Sequence, residues 1–310
     1  MTTATRFQDQ PATNTPAVTE FMNAVCSGDD ALVRTLLQKD PSLLHAYDYR
    51  SFGATPLIHA VNRRDRNMVQ CLLDAGADIH QRSDWWAGSY GVLPCGDAAF
   101  TEFLLSRGAI ADAHTLAALN DAEALRMLIA DDPQCVHRRG GDGLTPLSHA
   151  ATPDIAAILL DAGAEIDSRC IDHESTAAQY AAKQRRDVAR FLVLHGAMND
   201  IVIATATGDV TALQLLIAND GSLLGNCIRE NLFRTSENTN ALHIYFYEIG
   251  RGATPLHVAA MTNAVQSAEW LISMGANVNA RGAYDHATPL HFAAWENQVD
   301  VAKALVAGGA

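Results

Sequence analysis

Apolar residues recur along this chain at helical spacing, in short paired segments separated by glycine or polar turns. Phe21, Met22, Val25 and Cys26 form one stripe, Ser27-Gly28-Asp29 interrupts it, and Ala31 to Leu37 carries a second. That periodicity predicts two short amphipathic helices joined by a tight turn. Later pairs open alike, at Thr55-Pro56-Leu57, Thr145-Pro146-Leu147, Thr254-Pro255-Leu256 and Thr288-Pro289-Leu290. Threonine caps helix N-termini and proline suits the first helical turn, so each triplet predicts a helix start. The pairs also close alike, in L-L-x-x-G-A from Leu72, Leu104 and Leu159, and in looser forms from Leu192, Leu271 and Leu305. The closing glycine supplies a left-handed stop.

Two copies read T-P-L-H-x-A in full, Thr254 to Ala259 and Thr288 to Ala293. Repetition of that motif every 33 residues or so marks a helix–turn–helix solenoid. From about residue 17 to its end the chain resembles the ankyrin-repeat family. The resemblance implies an all-α fold, an α-solenoid with β-turn fingers, formed by about nine helix pairs in a single domain over residues 17–310. Residues 1–16, rich in Thr and Pro and without periodicity, read as a disordered tail. The family pattern further implies that His257 and His291, at the fourth motif position, tie neighbouring loops by hydrogen bonds. It places the fifth position on a concave groove. Read down the chain, that series is His59, Pro94, His149, Tyr180, Val258 and Phe292.

A longer period overlies the short one. The unit at Phe21 lacks T-P-L, and Leu116 to Asp121 and Ile203 to Asp209 resemble it; Asp40-Pro41, Asp132-Pro133 and Asp220-Gly221 follow in turn. This predicts three blocks of three repeats, at 17–111, 112–199 and 200–310. The third is interrupted by an insertion at about 226–250. Its segment Leu242 to Ile249 is rich in β-branched and aromatic residues and follows a turn-rich stretch from Ser236 to Asn240. An inserted β-hairpin is the expectation, with Tyr245 and Tyr247 on a projecting element. The final helix, Val299 to Val306, has few polar residues, which raises self-association through the C-terminal repeat.

Composition narrows the partners. A formal charge of −13 opposes binding to nucleic acid, where neutralising phosphates supplies most of the affinity. It disfavours anionic membrane surfaces equally. Six sparse cysteines without C-x-x-C argue against a disulfide framework, and the N-terminus has no apolar signal segment, so a cytoplasmic protein is expected. There is no H-E-x-x-H, G-x-S-x-G or P-loop, and Gly140-Gly141-Asp142-Gly143 reads as a turn before Thr145. Neither a cofactor nor a metal is expected.

Ankyrin arrays share architecture rather than chemistry, so function must come from departures in the pattern. Trp85 and Trp86 stand on a predicted finger, where exposed indoles are interface-like. With His59, His149, Tyr180, Tyr245, Tyr247 and Phe292 they make up the expected contact set for another protein. His173 and His286 occupy finger tips where glycine is usual, positions that call for positive φ. The alternative reading is enzymatic or small-molecule binding. A groove histidine beside the next finger's aspartate, as in His59 with Asp84 or His149 with Asp172, would form an acid/base pair. His173 and Glu174 would join the second of these. The scaffold reading is preferred, with no catalytic residue assigned.

Overall fold

The T-P-L triplets at Thr55, Thr254 and Thr288 start α-helices with threonine at the cap, whereas the triplet at Thr145 opens a 3₁₀ turn. A computed structural model of the chain describes residues 14–93, 97–225, 227–229, 233, 242–282 and 286–310. They fall into two compact units, residues 1–149 and 150–310, dividing the repeat that Thr145 opens.

In the first unit, α1 (Pro16–Ser27) is capped by Thr15, whose Oγ1 accepts from Val18 N, so it starts at the end of the stretch read as a tail. Gly28 stops it at φ 75, and α2 (Asp30–Lys39) packs back against it. α3 (Pro56–Asn62) and α4 (Arg66–Asp74) repeat the arrangement, with Thr55 Oγ1 accepting from Ile58 N at 3.2 Å. Their apolar faces merge with those of α1 and α2 in a core that includes Phe21, Met22, Leu57, Met68 and Leu72. α5 (Ala98–Leu105) is the second helix of the third repeat, and no helix precedes it among the described residues after α4, against the expectation of a full pair. α6 (Ala113–Ala118) and α7 (Ala122–Asp131) follow, and a 3₁₀ turn at Pro146–His149 closes the unit.

The second unit starts with α8 (Pro153–Asp161), capped by Thr152. Further pairs are α9 (Ala177–Ala181) with α10 (Arg186–Leu194), and α11 (Ile201–Thr207) with α12 (Val210–Asn219). The short α13 (Ile244–Glu248) comes next. α14 (Pro255–Thr262) with α15 (Val265–Ser273) and α16 (Pro289–Trp295) with α17 (Val299–Ala307) complete it.

One expectation is corrected. The inserted segment is helical at α13, not a β-hairpin. Ile244, Tyr245 and Phe246 are all buried, and burial against neighbouring helices overrides the strand preference of such residues. The expected turn at 236–240 lies outside the described residues. Among the described residues the single β-bridge joins Asp48 and Ala54 around a left-handed turn at Phe52 (φ 57) and Gly53 (φ 61) in the first finger. No helix among the described residues is long and apolar enough to cross a membrane.

Candidate functional site

α13 is held in the second unit by a buried polar network. Tyr245, only 1% exposed, donates its hydroxyl to Asp200 Oδ2 at 3.0 Å. The same carboxylate accepts from Gln179 Nε2 at 3.0 Å and caps α11 through Val202 N and Ile203 N, both at 2.9 Å. Gln179 Oε1 accepts from Thr176 N at 2.9 Å and from His243 Nε2 at 3.1 Å. His243 Nδ1 then accepts from Tyr245 N at 3.3 Å. An acceptor at Nε2 and a donor at Nδ1 fix the tautomer, because only one imidazole nitrogen of neutral histidine carries a proton. Burial, followed by the charges of Arg169 and His173, pushes His243 down to about 3, so it is neutral at pH 7. Burial raises the Asp200 carboxyl, and the hydrogen bonds it accepts only partly oppose that. Tyr245 is therefore an internal anchor, which corrects its assignment to a projecting contact surface.

Outside this network lies a cluster of rings. His173 donates Nδ1–H to Leu242 O at 2.9 Å, and its ring lies 5.1 Å from Tyr247 and 6.5 Å from Tyr180. Asp172 Oδ2 stands 3.7 Å from His173 Nε2. The positive φ predicted for His173 falls instead on Glu174 (φ 50), whereas His286 adopts it (φ 57). Tyr247 is 62% exposed. Phe292 is half-buried, edge-on to His257 at 5.5 Å, and Val258 is buried.

In the first unit the two tryptophans are not paired exposed indoles. Trp86 is buried at 5% exposure, and half-buried Trp85 donates Nε1–H to Asp142 Oδ1 at 3.0 Å. What projects is Phe52, 59% exposed and edge-on to Trp85 at 4.8 Å. Phe52 stands at φ 57 beside Gly53, a conformation that the sequence does not disclose. His59 is also buried. Its carboxylate partner is Asp48, at 3.1 Å from Nε2, while Asp84 accepts the Tyr49 hydroxyl at 2.8 Å. His149 lies 5.6 Å from the ring of His114 and closes the first unit, whereas Asp172, His173 and Glu174 belong to the second. Pro94 and Asp285 lie outside the described residues.

Comparison with known families settles the architecture. The family described as ankyrin repeats (3 copies) matches residues 113–203 and 198–310, and the single ankyrin repeat matches residues 52–84. The chain belongs to the ankyrin-repeat family. Among curated proteins, it is 44% identical to the serine/threonine-protein kinase VIK of Arabidopsis thaliana over 57 residues. That match takes in 18% of this chain and 13% of the kinase, so the chain spans about an eighth of that relative. Among solved structures, the human ASB11 ankyrin repeat domain matches at 24% identity with a TM-score of 0.41, over 65% of this chain and 85% of that one.

The ankyrin loop tie expected of His257 is present, whereas His291 Nδ1 pairs with Thr288 Oγ1 at 2.8 Å inside its own motif. His257 Nδ1 accepts from Thr254 N at 3.1 Å, and its Nε2 donates to Ala287 O at 3.1 Å, linking consecutive ankyrin repeats. His114 makes the same link to Leu144 O at 3.1 Å, although its repeat has no T-P-L to reveal it. In the ankyrin repeat opened by Thr176, Gln179 takes that place, completing a capping box and anchoring α13 through His243.

Proposed function

We propose that this ankyrin-repeat chain is a non-catalytic scaffold that binds another protein through its groove and finger residues. The contact centre of the second unit is the cluster of Tyr247, His173 and Tyr180. One observation carries the reading: Tyr247 exposes 62% of its surface on a helix whose preceding residues are anchored in the interior. An aromatic ring held on a rigid base forfeits little side-chain entropy on binding, and such rings dominate interface energetics. Phe52 on its Trp85 support is the corresponding element of the first unit. The net charge of −13 suits a neutral or basic partner, and the free thiols suit the cytoplasm.

The test is affinity capture with the intact chain, followed by titration of the captured partner. Tyr247→Ala is expected to weaken binding about thirtyfold, the scale of an interface hot spot. Leu215→Ala, on α12 and 64% exposed, serves as a control of similar exposure and should leave binding unchanged. Equal affinity of wild type and Tyr247→Ala would remove this surface from the reading.

Self-association through the C-terminal repeat is a second proposed contact, supported by exposed Trp295 (61%), Val299 (55%) and Val306 (58%) on α16 and α17. Sedimentation is expected to show a concentration-dependent dimer that Trp295→Glu abolishes; a wild-type monomer at every concentration would rule it out.

A further inference from the structure

The first unit contains a constellation that scaffold function does not use. Cys26 on α1, His59 on α3 and Asp48 beside the finger turn form a chain of contacts: Cys26 Sγ is 3.5 Å from His59 Nδ1, and His59 Nε2 is 3.1 Å from Asp48 Oδ2. Asp48 is fixed independently. Asn14 Nδ2 donates to its Oδ1 at 2.6 Å, and Arg50 donates Nε–H to Oδ1 at 3.0 Å and Nη2–H to Oδ2 at 3.1 Å. Burial raises this carboxyl, but the hydrogen bonds from Arg50 and Asn14 outweigh it and hold it at about 2. It is therefore an acceptor at neutral pH, so His59 Nε2 carries the proton and donates to it. The neutral imidazole then presents a bare Nδ1 lone pair to the thiol, which donates. Nucleophile, base and orienting carboxylate stand in the order required for base-assisted thiol chemistry.

We propose that Cys26 is a modification site at which His59, oriented by Asp48, promotes exchange with low-molecular-weight disulfides. Cys26 is partly accessible, whereas the thiols of Cys71, Cys135, Cys170 and Cys227 are buried. In the step, the Cys26 proton moves to His59 Nδ1 as Sγ attacks one sulfur of R–S–S–R. The Cys26 Sγ–S bond forms, the disulfide S–S bond breaks, and the leaving R–S⁻ takes the proton from His59 as R–SH. Cys26 is oxidised, the departing half of the disulfide is reduced, and no other oxidant enters. Asp48 stabilises the transient imidazolium and is a positioning residue. The resting pair is neutral: burial, then the charge of Asp48, raises the thiol against the opposing Arg63 and Arg50, and burial lowers the imidazole. Proton transfer therefore accompanies attack instead of preceding it.

The probe is glutathione disulfide, with adducts mapped by mass spectrometry on the folded full chain and rates followed from pH 6 to 9. The fastest adduct is expected on Cys26 and should vanish in Cys26→Ser. His59→Gln is expected to slow it about a hundredfold at pH 7, the lower end of what general bases contribute. Asp48→Asn keeps a hydrogen-bond acceptor but removes the charge. It should slow the reaction about threefold and shift the pH–rate profile, which a purely structural change would not do. If His59→Gln unfolds the first unit, all its thiols react together and Asp48→Asn decides the question. A fastest adduct on another cysteine, or folded variants with unchanged rates and profiles, would overturn the proposal.

Discussion

Tyr245→Ala is expected to destabilise the second unit by about 4 kcal/mol, the range for deleting a buried aromatic side chain. The ring is 1% exposed and packs against Phe233 at 5.0 Å and His243 at 4.6 Å. Deleting it also removes one of the donors to Asp200. Because repeat arrays are held by nearest-neighbour contacts, the loss should be local. Amide exchange would accelerate first in α13 and at the caps of α9 and α11, where Gln179 and Asp200 sit. Tyr245→Phe isolates the hydroxyl and should cost about 1.5–3 kcal/mol, the value of a hydrogen bond to a charged group. Urea unfolding with site-resolved hydrogen exchange measures both. A loss below about 1 kcal/mol for the alanine variant would contradict the anchoring role assigned to Tyr245.

The helix starts were legible because N-capping is local chemistry. Thr55 reaches Ile58 N three residues on, and no distant residue alters that reading. The closing glycines were legible for the same reason, as Gly76 (φ 98), Gly163 (φ 94) and Gly275 (φ 85) show. Tyr245 was not, because its place depends on Asp200 and, through His243, on Gln179, 64 residues before that histidine. Apolar and β-branched content alone favoured a strand there, and packing overruled it. Trp86 failed differently: a finger position was equated with exposure, yet a bulky finger residue can turn inward. The Cys26–His59 contact did have a sequence signal. The two residues lie 33 apart, one repeat period, so equivalent faces of successive units bring them together. Pairing groove histidines with the following finger directed attention to Asp84, whereas Asp48, on the finger immediately before α3, is the carboxylate His59 meets.

Acidification supplies the second large effect. His243 is held at about 3 in the folded chain against an ordinary 6.5. Below pH 6.5 the unfolded chain therefore takes up a proton that the folded chain refuses, and stability falls as pH falls. The loss begins near 6.5 and is complete only below about 3; at 1.36 kcal/mol per pH unit it reaches about 2 kcal/mol by pH 5. Two other groups must be separated from it. Asp200 has the opposite sign: its raised carboxyl binds a proton more readily when folded, so it restores some stability as pH falls through its raised value. His59, lowered by burial, adds a loss of the same sign in the first unit. Asp48 acts below this window, since its contribution is lost only as pH falls from 3.8 towards about 2. The informative quantity is thus the difference between wild type and His243→Gln, whose amide can still donate to Gln179 Oε1 but does not titrate. Urea midpoints between pH 7 and 5 should fall more steeply for the wild type, and the curves should converge as the unfolded histidine becomes protonated. Parallel curves would mean that His243 takes up its proton in the folded state, which a side chain 2% exposed and donating to Gln179 Oε1 could do only by giving up the Nδ1 contact to Tyr245 N.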